Sequence, residues 1–305
     1  MEMEFCRTHV ALRNVLFATD FSKESAQAVN ALRSLCTGYG VRLYVAHVAD
    51  VFPFPIADNP SARERVAGIC KDAETRLRDF MRSLGFDGSD FEAAILAGEL
   101  PDVVNQFIQS HHIDLVVLGS SGSMGFSRLF DGSAAEEIFR SAKCPVITVG
   151  PHATRSTKDD MFANILFPTD LSMHSRIALP YIEWLLSRYS GSQLTLLHVL
   201  PRVGHPLQQQ LAAPAIESDV LALISADLRD RVKSVIVTTG EPASVIIATA
   251  AEMGSDLLVL GVRYGGSFLR VTTHSLCSLA PAIVAKSPCP VLTIRSYESA
   301  AESDH

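Results

Sequence analysis

Residues 14–22 read Asn-Val-Leu-Phe-Ala-Thr-Asp-Phe-Ser, and residues 164–172 read Asn-Ile-Leu-Phe-Pro-Thr-Asp-Leu-Ser. Three further matches occur at similar offsets: His47-Val48 with His198-Val199, Gly98-Glu99 with Gly240-Glu241, and Cys144-Pro-Val with Cys289-Pro-Val. Similarity that is sustained at a nearly constant offset indicates an internal duplication. We therefore predict two homologous domains, residues 1–152 and 160–297, joined by a polar linker near Pro151–Asp160 and followed by a disordered tail, residues 298–305.

Each copy alternates short apolar runs with segments of helical periodicity. The runs of the first copy are short, rich in β-branched residues and bounded by Gly or Pro, which is typical of strands; they are residues 14–19, 42–49, 91–96, 115–118 and 146–149. Nearly continuous apolar strands that alternate with helices favour parallel pairing with both faces of the sheet covered. We therefore predict an α/β fold class with two tandem, doubly wound domains, each containing a five-stranded parallel sheet.

Composition excludes several classes of protein. The chain has 305 residues, 48% of them hydrophobic and 19% charged, so it is long enough for two cores and is not disordered throughout. A net charge of −7 argues against nucleic acid or an anionic membrane as the main partner, because both require a concentrated basic surface. No run is long enough for a membrane helix, and the first residues lack the pattern of a secretory signal, so we expect a cytoplasmic protein.

The six cysteines contain no Cys-x-x-Cys pair, and no His-rich metal-ligand spacing accompanies them. This pattern predicts reduced, mostly buried thiols, with neither a redox centre nor a metal site. His47 and His198 occupy the same position of both copies on apolar strands, so we interpret them as interior histidines with hydrogen-bond partners. The alternating charges of residues 63–82 predict a solvated helix face.

A glycine-rich segment follows the fourth predicted strand of the first copy. It reads Gly119-Ser-Ser-Gly122, then nine residues, then Gly132-Ser133 before a segment of helical character. Glycines between a strand and a helix N-terminus can form a cradle of backbone N–H groups for phosphate. In a doubly wound sheet, ligands bind beyond the carboxyl ends of the strands, and Asp20, Val48 and Gly119 all lie at such ends.

Together these features resemble the universal stress protein family in its tandem form. The resemblance rests on four elements: Val-Leu-Phe-Ala-Thr-Asp20-Phe-Ser, His47-Val48, the glycine set, and Cys144-Pro-Val-Ile-Thr-Val. It implies a fold of the adenine-nucleotide alpha-hydrolase-like, Rossmann-like kind, and ATP as the ligand, with the presence of Mg²⁺ left open. The resemblance implies that the base and ribose contact Ala18, Asp20 and Val48. It implies that the ribose and α-phosphate contact Leu118, Gly119, Ser120 and Gly122, and that the outer phosphates contact Gly132, Ser133, Ala134 and Ala135.

The second copy departs from this pattern. Cys277-Ser278 stands where the first copy has Gly132-Ser133, and Tyr264 takes the place of Gly122, although Gly265 lies one residue further on. Asp170 is retained, which keeps open the alternative that Asp20 only caps the following helix. We therefore predict a degenerate second site and a single nucleotide site in the chain.

Three functional hypotheses remain at this point. The first is a stress-response regulatory protein that binds ATP in its first domain, with the second domain as a structural pseudo-dimer partner; the resemblance implies pairing of Val146–Val149 beside Val291–Ile294 and leaves a homodimer open. The second is a slow ATP hydrolase or another nucleotide-processing enzyme, although no Walker motif or general base accompanies the glycines, and we assign no catalytic residue. The third is an interaction module that binds no nucleotide.

Overall fold

The computed structural model describes residues 10–36, 40–50, 60–120, 134–153, 162–200, 206–263 and 276–296. They divide into two compact units, Leu12–Pro151 and the residues from His152 onward, which we call the first and second units. The predicted tail and most of the predicted linker lie outside the described residues.

The first unit contains a parallel sheet with the strand order β3-β2-β1-β4-β5. Its strands are β1 Asn14–Ala18, β2 Arg42–Ala49, β3 Glu92–Ala97, β4 Leu115–Gly119 and β5 Val146–Val149. Its helices are α1 Lys23–Cys36, α2 Pro60–Ser83, α3 Leu100–Ser110 and α4 Ala134–Ser141. The predicted five-stranded, doubly wound fold is thus confirmed, with strand bounds within one residue of those read from the sequence.

The helices of the first unit cover the two faces of its sheet. Alternate strand residues such as Leu16, Ala46 and Leu118 form a buried cluster with apolar residues of α3 and α4. Helix α1 contacts the segment that follows α2 through Arg33, which donates to the carbonyl of Leu84 and lies over the ring of Phe86. The run of charges in α2 forms a solvated face, as predicted, with ion pairs between Arg78 and Glu74 and between Arg82 and Asp79.

The second unit repeats this sheet with the order β10-β9-β6-β7-β8, again with parallel pairing. Its strands are β6 Asn164–Pro168, β7 Gln193–Leu200, β8 Val232–Thr239, β9 Leu257–Arg263 and β10 Val291–Ser296. Its α-helices are α5 Met173–Arg176, α6 Leu179–Arg188, α7 Pro206–Leu221, α8 Pro242–Glu252 and α9 Leu276–Lys286. Pro180 explains why α5 and α6 are separate where the first unit has the single helix α1, because proline cannot donate the hydrogen bond that would continue the helix.

A duplicated aspartate joins the starts of two strands in each unit. Asp114, just before β4, accepts hydrogen bonds through Oδ2 from the backbone N–H groups of Arg13 and Asn14, at 2.8 and 2.9 Å. Asp256, just before β9, accepts through Oδ2 from the backbone N–H and the side-chain amide of Asn164, at 3.0 and 2.9 Å. These contacts give the repeated Asp-Leu-x-Val-Leu-Gly sequence a structural reason that is independent of any ligand.

Among the described helices, none is both long and apolar enough to cross a lipid bilayer.

Candidate nucleotide site

The first unit brings together three of the residues predicted to surround a base. Ala18 ends β1 and pairs in register with Ala46 of β2 and Leu118 of β4, and Val48 lies near the end of β2. Leu118 is buried, whereas Ala18 and Val48 are half-buried and pack against the same cluster on the α3 and α4 face. The three side chains therefore line one face of the sheet at its carboxyl edge, where doubly wound domains bind ligands.

Asp20 lies just beyond this row, on the turn between β1 and α1. Its Oδ1 accepts hydrogen bonds from the backbone N–H of Ser22 at 3.0 Å and from the hydroxyl of Ser25 at 2.7 Å. Ser22 is itself the N-terminal cap of α1, because its hydroxyl accepts from the backbone N–H of Ser25 at 3.1 Å. Asp20 therefore does support the helix start, as the capping alternative predicted, while its side chain is exposed and its Oδ2 receives no hydrogen bond from a described residue.

The same hydrogen bonds keep the Asp20 carboxylate ionised. Partial burial raises the pKa of Asp20, but the hydrogen bonds from Ser22 and Ser25 outweigh it and lower the pKa below the ordinary value of an aspartate. The turn thus presents a negatively charged acceptor at neutral pH, which is the form that can receive hydrogen bonds from hydroxyl groups such as those of a ribose.

Gly119 and Ser120 continue from β4 at the same edge. A Cβ atom at Gly119 would lie 2.3 Å from both the carbonyl carbon and oxygen of Glu24 and 2.4 Å from the backbone nitrogen of Ser25. Gly119 is therefore required for the close approach of β4 to the first turn of α1, whether or not a ligand is bound. The backbone N–H of Ser120 donates to the carbonyl of Val149 at 2.9 Å, which ties the start of the glycine segment to β5.

The remaining predicted site residues are described only in part. Gly122, Gly132 and Ser133 lie outside the described residues, and Ala134 and Ala135 are the first two residues of α4. Helix α4 leads back to the start of β5, which runs parallel to β4, so the N-terminus of α4 is directed towards the carboxyl edge of the sheet. This direction is the one that the phosphate prediction requires, because a helix N-terminus attracts anions.

An aromatic cluster beside Asp20 was not found from the sequence. The Phe21 ring contacts the imidazole of His47, at 4.3 Å between centroids, and the guanidinium of Arg76, 4.4 Å from the ring centroid. Phe80 contacts the same ring edge-on at 5.6 Å. The signal could have been found in the charged face of α2, because Arg76 and Phe80 are four residues apart and therefore lie on the same side of the helix.

His47 has the structural partner that its sequence context predicted. Its Nδ1 lies 2.8 Å from the carbonyl oxygen of Thr19, and in the second unit His198 Nδ1 lies 2.7 Å from the carbonyl oxygen of Thr169. Each histidine thus connects the second strand of its unit to the residue before the aspartate.

The second unit retains the turn but holds its aspartate differently. Asp170 Oδ1 accepts from the backbone N–H and the hydroxyl of Ser172, at 3.0 and 2.5 Å. The hydroxyl of Ser175, which matches Ser25, instead lies 2.9 Å from the hydroxyl of Thr169 and donates to the carbonyl of Ser172 at 3.0 Å. Asp170 therefore lacks a hydrogen bond from the buried helix serine, the kind of bond that Asp20 accepts from Ser25. Tyr264 and Gly265 lie outside the described residues, and the side chains of Cys277 and Ser278 are not described.

A groove of about 300 Å³ lies on the outer side of the predicted base pocket. It is lined by Ile95, Leu96 and Ala97 of β3 and by Val103, Gln106, Phe107 and Ser110 of α3. Leu96 pairs in register with Val48, so this groove, whose lining is both polar and apolar, borders the strand position predicted to contact the base.

The described cysteines are free thiols, but most of them are less buried than the sequence predicted. Cys289 is buried, and Cys36, Cys70 and Cys144 are half-buried free thiols. Burial raises the pKa of Cys36 to about 11, and burial together with the nearby Asp114 raises the pKa of Cys144 to about 12. Both thiols are therefore protonated at neutral pH and poorly nucleophilic.

Two doubly wound units, the first with an aspartate beside an apolar row at the carboxyl edge of its sheet, define a tandem α/β protein with a candidate ligand site. The sequence profile of the Universal stress protein family matches residues 11–150 and again residues 161–295. The chain belongs to the universal stress protein family and carries two of its domains in tandem.

Individual relatives agree with this assignment. A universal stress protein of Methanocaldococcus jannaschii is 25% identical over 138 residues, which cover 45% of this chain and 81% of the relative. A universal stress protein of Thermus aquaticus is 26% identical over 137 residues, which cover 45% of this chain and 98% of the relative. The crystal structure of a universal stress protein from Archaeoglobus fulgidus covers 92% of this chain and 98% of its own with a TM-score of 0.64; at 18% identity this likeness concerns the fold alone.

Proposed function

We propose that this chain is a stress-response regulatory protein that binds ATP through its first unit, with the second unit as a structural partner. The observation that carries the proposal is the arrangement at the carboxyl edge of the first sheet. There Ala18, Val48 and Leu118 share one face next to the ionised Asp20, and the N-terminus of α4 is directed towards the same edge. An apolar face, a charged acceptor and a helix N-terminus suit the base, the ribose and the phosphates of a nucleotide, in that order.

Membership of the family supports the same proposal, since the residues that hold ATP in its ATP-binding members match Ala18, Asp20, Val48 and the glycine set. In the proposed complex Leu118, Gly119, Ser120 and Gly122 lie under the ribose and α-phosphate. Gly132, Ser133, Ala134 and Ala135 present the N-terminus of α4 to the outer phosphates. We propose no catalytic residue, so occupancy of the site, rather than turnover, is the signal that partners would detect.

Retained nucleotide is the direct test of the site. The purified chain is extracted with acid and the released nucleotide identified, and the Gly122→Ala, Gly132→Ala double variant is treated in the same way. We expect ATP from the parent chain and a large loss from the variant, because the added methyl groups occupy the space through which the backbone approaches the phosphates. Equal amounts from both proteins would contradict the assignment of the glycine set.

A matched pair of aspartate variants separates the two units. Asp20→Asn keeps the acceptor oxygen for Ser22 and Ser25 but removes the charge, so we expect ATP affinity to fall about tenfold while the helix cap is retained. Asp170→Asn makes the same change in the second unit and is expected to leave ATP affinity unchanged. Isothermal titration calorimetry measures both, and equal losses in the two variants would contradict the asymmetric proposal.

Thermal shift and turnover assays complete the test. At an ATP concentration of 100 times the dissociation constant, binding stabilises the folded chain by about 2.7 kcal/mol, which raises the melting temperature by several degrees. Hydrolysis of ATP well above about one turnover per minute would favour the enzyme hypothesis instead, since typical enzymes turn over about ten times per second. Absence of any stabilisation by ATP would favour the interaction module.

A further inference from the structure

The backbone of Phe21 adopts a conformation that a bulky side chain rarely takes. Its φ angle is 65°, in the left-handed region that favours glycine. Such a conformation persists only where surrounding contacts hold it in place, and it is found most often where a turn serves a functional group. Phe21 directly follows Asp20, so whatever holds Phe21 also determines where the Asp20 carboxylate lies.

Contacts from three parts of the first unit hold Phe21. The backbone N–H of Phe21 donates to the hydroxyl of Thr19 at 3.0 Å. The ring contacts His47 of β2, tilted at 39° with 4.3 Å between centroids, and on α2 it contacts the Arg76 guanidinium at 4.4 Å and the Phe80 ring at 5.6 Å. His47 is fixed in turn by the carbonyl of Thr19, 2.8 Å from its Nδ1. The residues on both sides of Asp20 are therefore anchored, one by its carbonyl and the other by its ring.

The second unit contains the same turn without the aromatic ring. Leu171 takes the place of Phe21 with a φ of 62°, and His198 again contacts the carbonyl before the aspartate. Leucine offers no π face to a guanidinium, so the stack that connects the turn to α2 is confined to the first unit. The aromatic ring is thus present in the same unit in which the aspartate accepts a hydrogen bond from the buried Ser25.

We propose that Phe21 is a positioning residue of the nucleotide site: its ring, in contact with His47 and Arg76, restricts the movement of a turn that both units form, and thereby aims the Asp20 carboxylate and couples α2 to ligand binding. The inference rests on the proposed function, that the first unit binds ATP. In this proposal Phe21 acts through Asp20, its neighbour in the sequence, rather than by contacting the nucleotide. Arg76 is exposed on α2, which places one partner of the stack where solvent or another protein reaches it.

Four variants separate this role from general stability. Phe21→Leu introduces the residue of the second unit, and Phe21→Tyr keeps the ring. Phe86→Leu removes the comparable contact of Phe86 with Arg33, 5.2 Å from its ring, in the same unit but in a different cluster. Arg76→Met removes only the cation from an exposed helix position, so it provides a folded variant if Phe21→Leu proves unstable.

Binding of ATP is measured for each variant by calorimetry. Phe21→Leu is expected to raise the dissociation constant about tenfold, the scale of one lost charge-assisted hydrogen bond, and Arg76→Met about twofold to threefold. Phe21→Tyr and Phe86→Leu are expected to bind ATP as the parent chain does. Because Phe21 acts through Asp20, the Asp20→Asn, Phe21→Leu double variant should bind no more weakly than Asp20→Asn alone.

A second readout needs no nucleotide. The pKa of Asp20, followed by NMR in protein labelled with ¹³C at the aspartate carboxyl groups, should rise in Phe21→Leu as the hydrogen bonds from Ser22 and Ser25 loosen, and should stay unchanged in Phe86→Leu. An unchanged Asp20 pKa in Phe21→Leu, or additive losses of affinity in the double variant, overturns the inference while the proposed function stands. A parent chain that binds no ATP overturns the proposed function, and the Asp20 pKa then still decides whether Phe21 positions Asp20.

Discussion

Replacing Gly119 with alanine is expected to destabilise the first unit, because the strand and the helix leave no room for a methyl group. The new Cβ atom would lie 2.3 Å from Glu24 backbone atoms, whereas ordinary van der Waals contact begins near 3.4 Å. Either β4 or the first turn of α1 must therefore move by about 1 Å. The contacted atoms belong to the backbone, so no side chain can rotate away to relieve the clash.

The magnitude follows from the cost of overpacking. Inserting a methyl group into a packed interior costs about 1–3 kcal/mol, and a clash with backbone belongs at the upper end of that range. With a denaturant slope of about 2 kcal/mol per molar urea, a cost of about 2–3 kcal/mol lowers the unfolding midpoint of the first unit by about 1–1.5 M. The corresponding loss in melting temperature is on the order of 6–10 °C.

Urea titration and calorimetry measure this loss, with Gly88→Ala as the matched control. Gly88 has no atom within 4 Å of an added Cβ, so its substitution is expected to leave stability unchanged or slightly increased. Gly261→Ala repeats the perturbation in the second unit, where the Cβ would lie 2.3 Å from the carbonyl oxygen of His174. If Gly119→Ala unfolds at the same urea concentration as Gly88→Ala, the packing argument is wrong.

Three further predictions address capping, titration and thiol reactivity. Glu241→Ala should destabilise the second unit by about 1 kcal/mol in urea titration, because Glu241 caps α8 by accepting from the N–H groups of Ala243 and Ser244. The matched control is Glu99→Ala, at the start of α3, where no side chain caps the helix, and it should cost little stability. Equal losses in the two variants would contradict the capping argument. The stability that the ionised Asp20 contributes is present above the ordinary aspartate pKa and is lost as the pH falls through the lowered pKa of Asp20. The difference in free energy of unfolding between the parent chain and Asp20→Asn should therefore shrink as the pH is lowered from 7 to 3. A difference that grows would show that the direction assigned to the pKa shift is wrong. Cys36 and Cys144 should react slowly with iodoacetamide at pH 7 in the native chain and quickly after unfolding, as followed by mass spectrometry, and rapid native labelling would show that burial does not control these thiols.

Much of the fold was predictable because it depends on signals that are local or repeated. The apolar runs of the first copy give the strands of the first unit within one residue, since buried parallel strands tolerate few polar residues. The sequence analysis did not predict that the second unit has two helices, α5 and α6, where the first unit has α1, although Pro180 lies at the break. The effect of Pro180 depends on where the helix would otherwise have continued, which the periodicity of the apolar residues does not show.

The sequence predicted those parts of the candidate site that follow from the order of the strands. Strand order brings Ala18, Val48 and Leu118 together, and strand order follows from the doubly wound pattern. The sequence shows that Arg76 and Phe80 share one side of α2, but it does not show that Phe21 contacts them and His47, because these contacts join a turn, a strand and a helix that are far apart in sequence. Gly119 was interpreted from its sequence as a position of ligand approach, and the structure adds a packing reason that the sequence pattern does not distinguish from the first.

Comparison of the two units shows which retained residues say something about a ligand. Asp170, His198 and Gly261 all remain in the second unit, and each has a structural partner there: the Ser172 cap, the Thr169 carbonyl and the start of α5. Their retention therefore does not imply a second nucleotide site. The informative differences are those that no fold requirement explains. One is Leu171 in place of Phe21, and the other is the partner of the buried serine hydroxyl, which is Asp20 in the first unit and Thr169 in the second. Both changes alter the contacts around the aspartate at the end of the first strand of the unit, so the two units differ in how that aspartate is held.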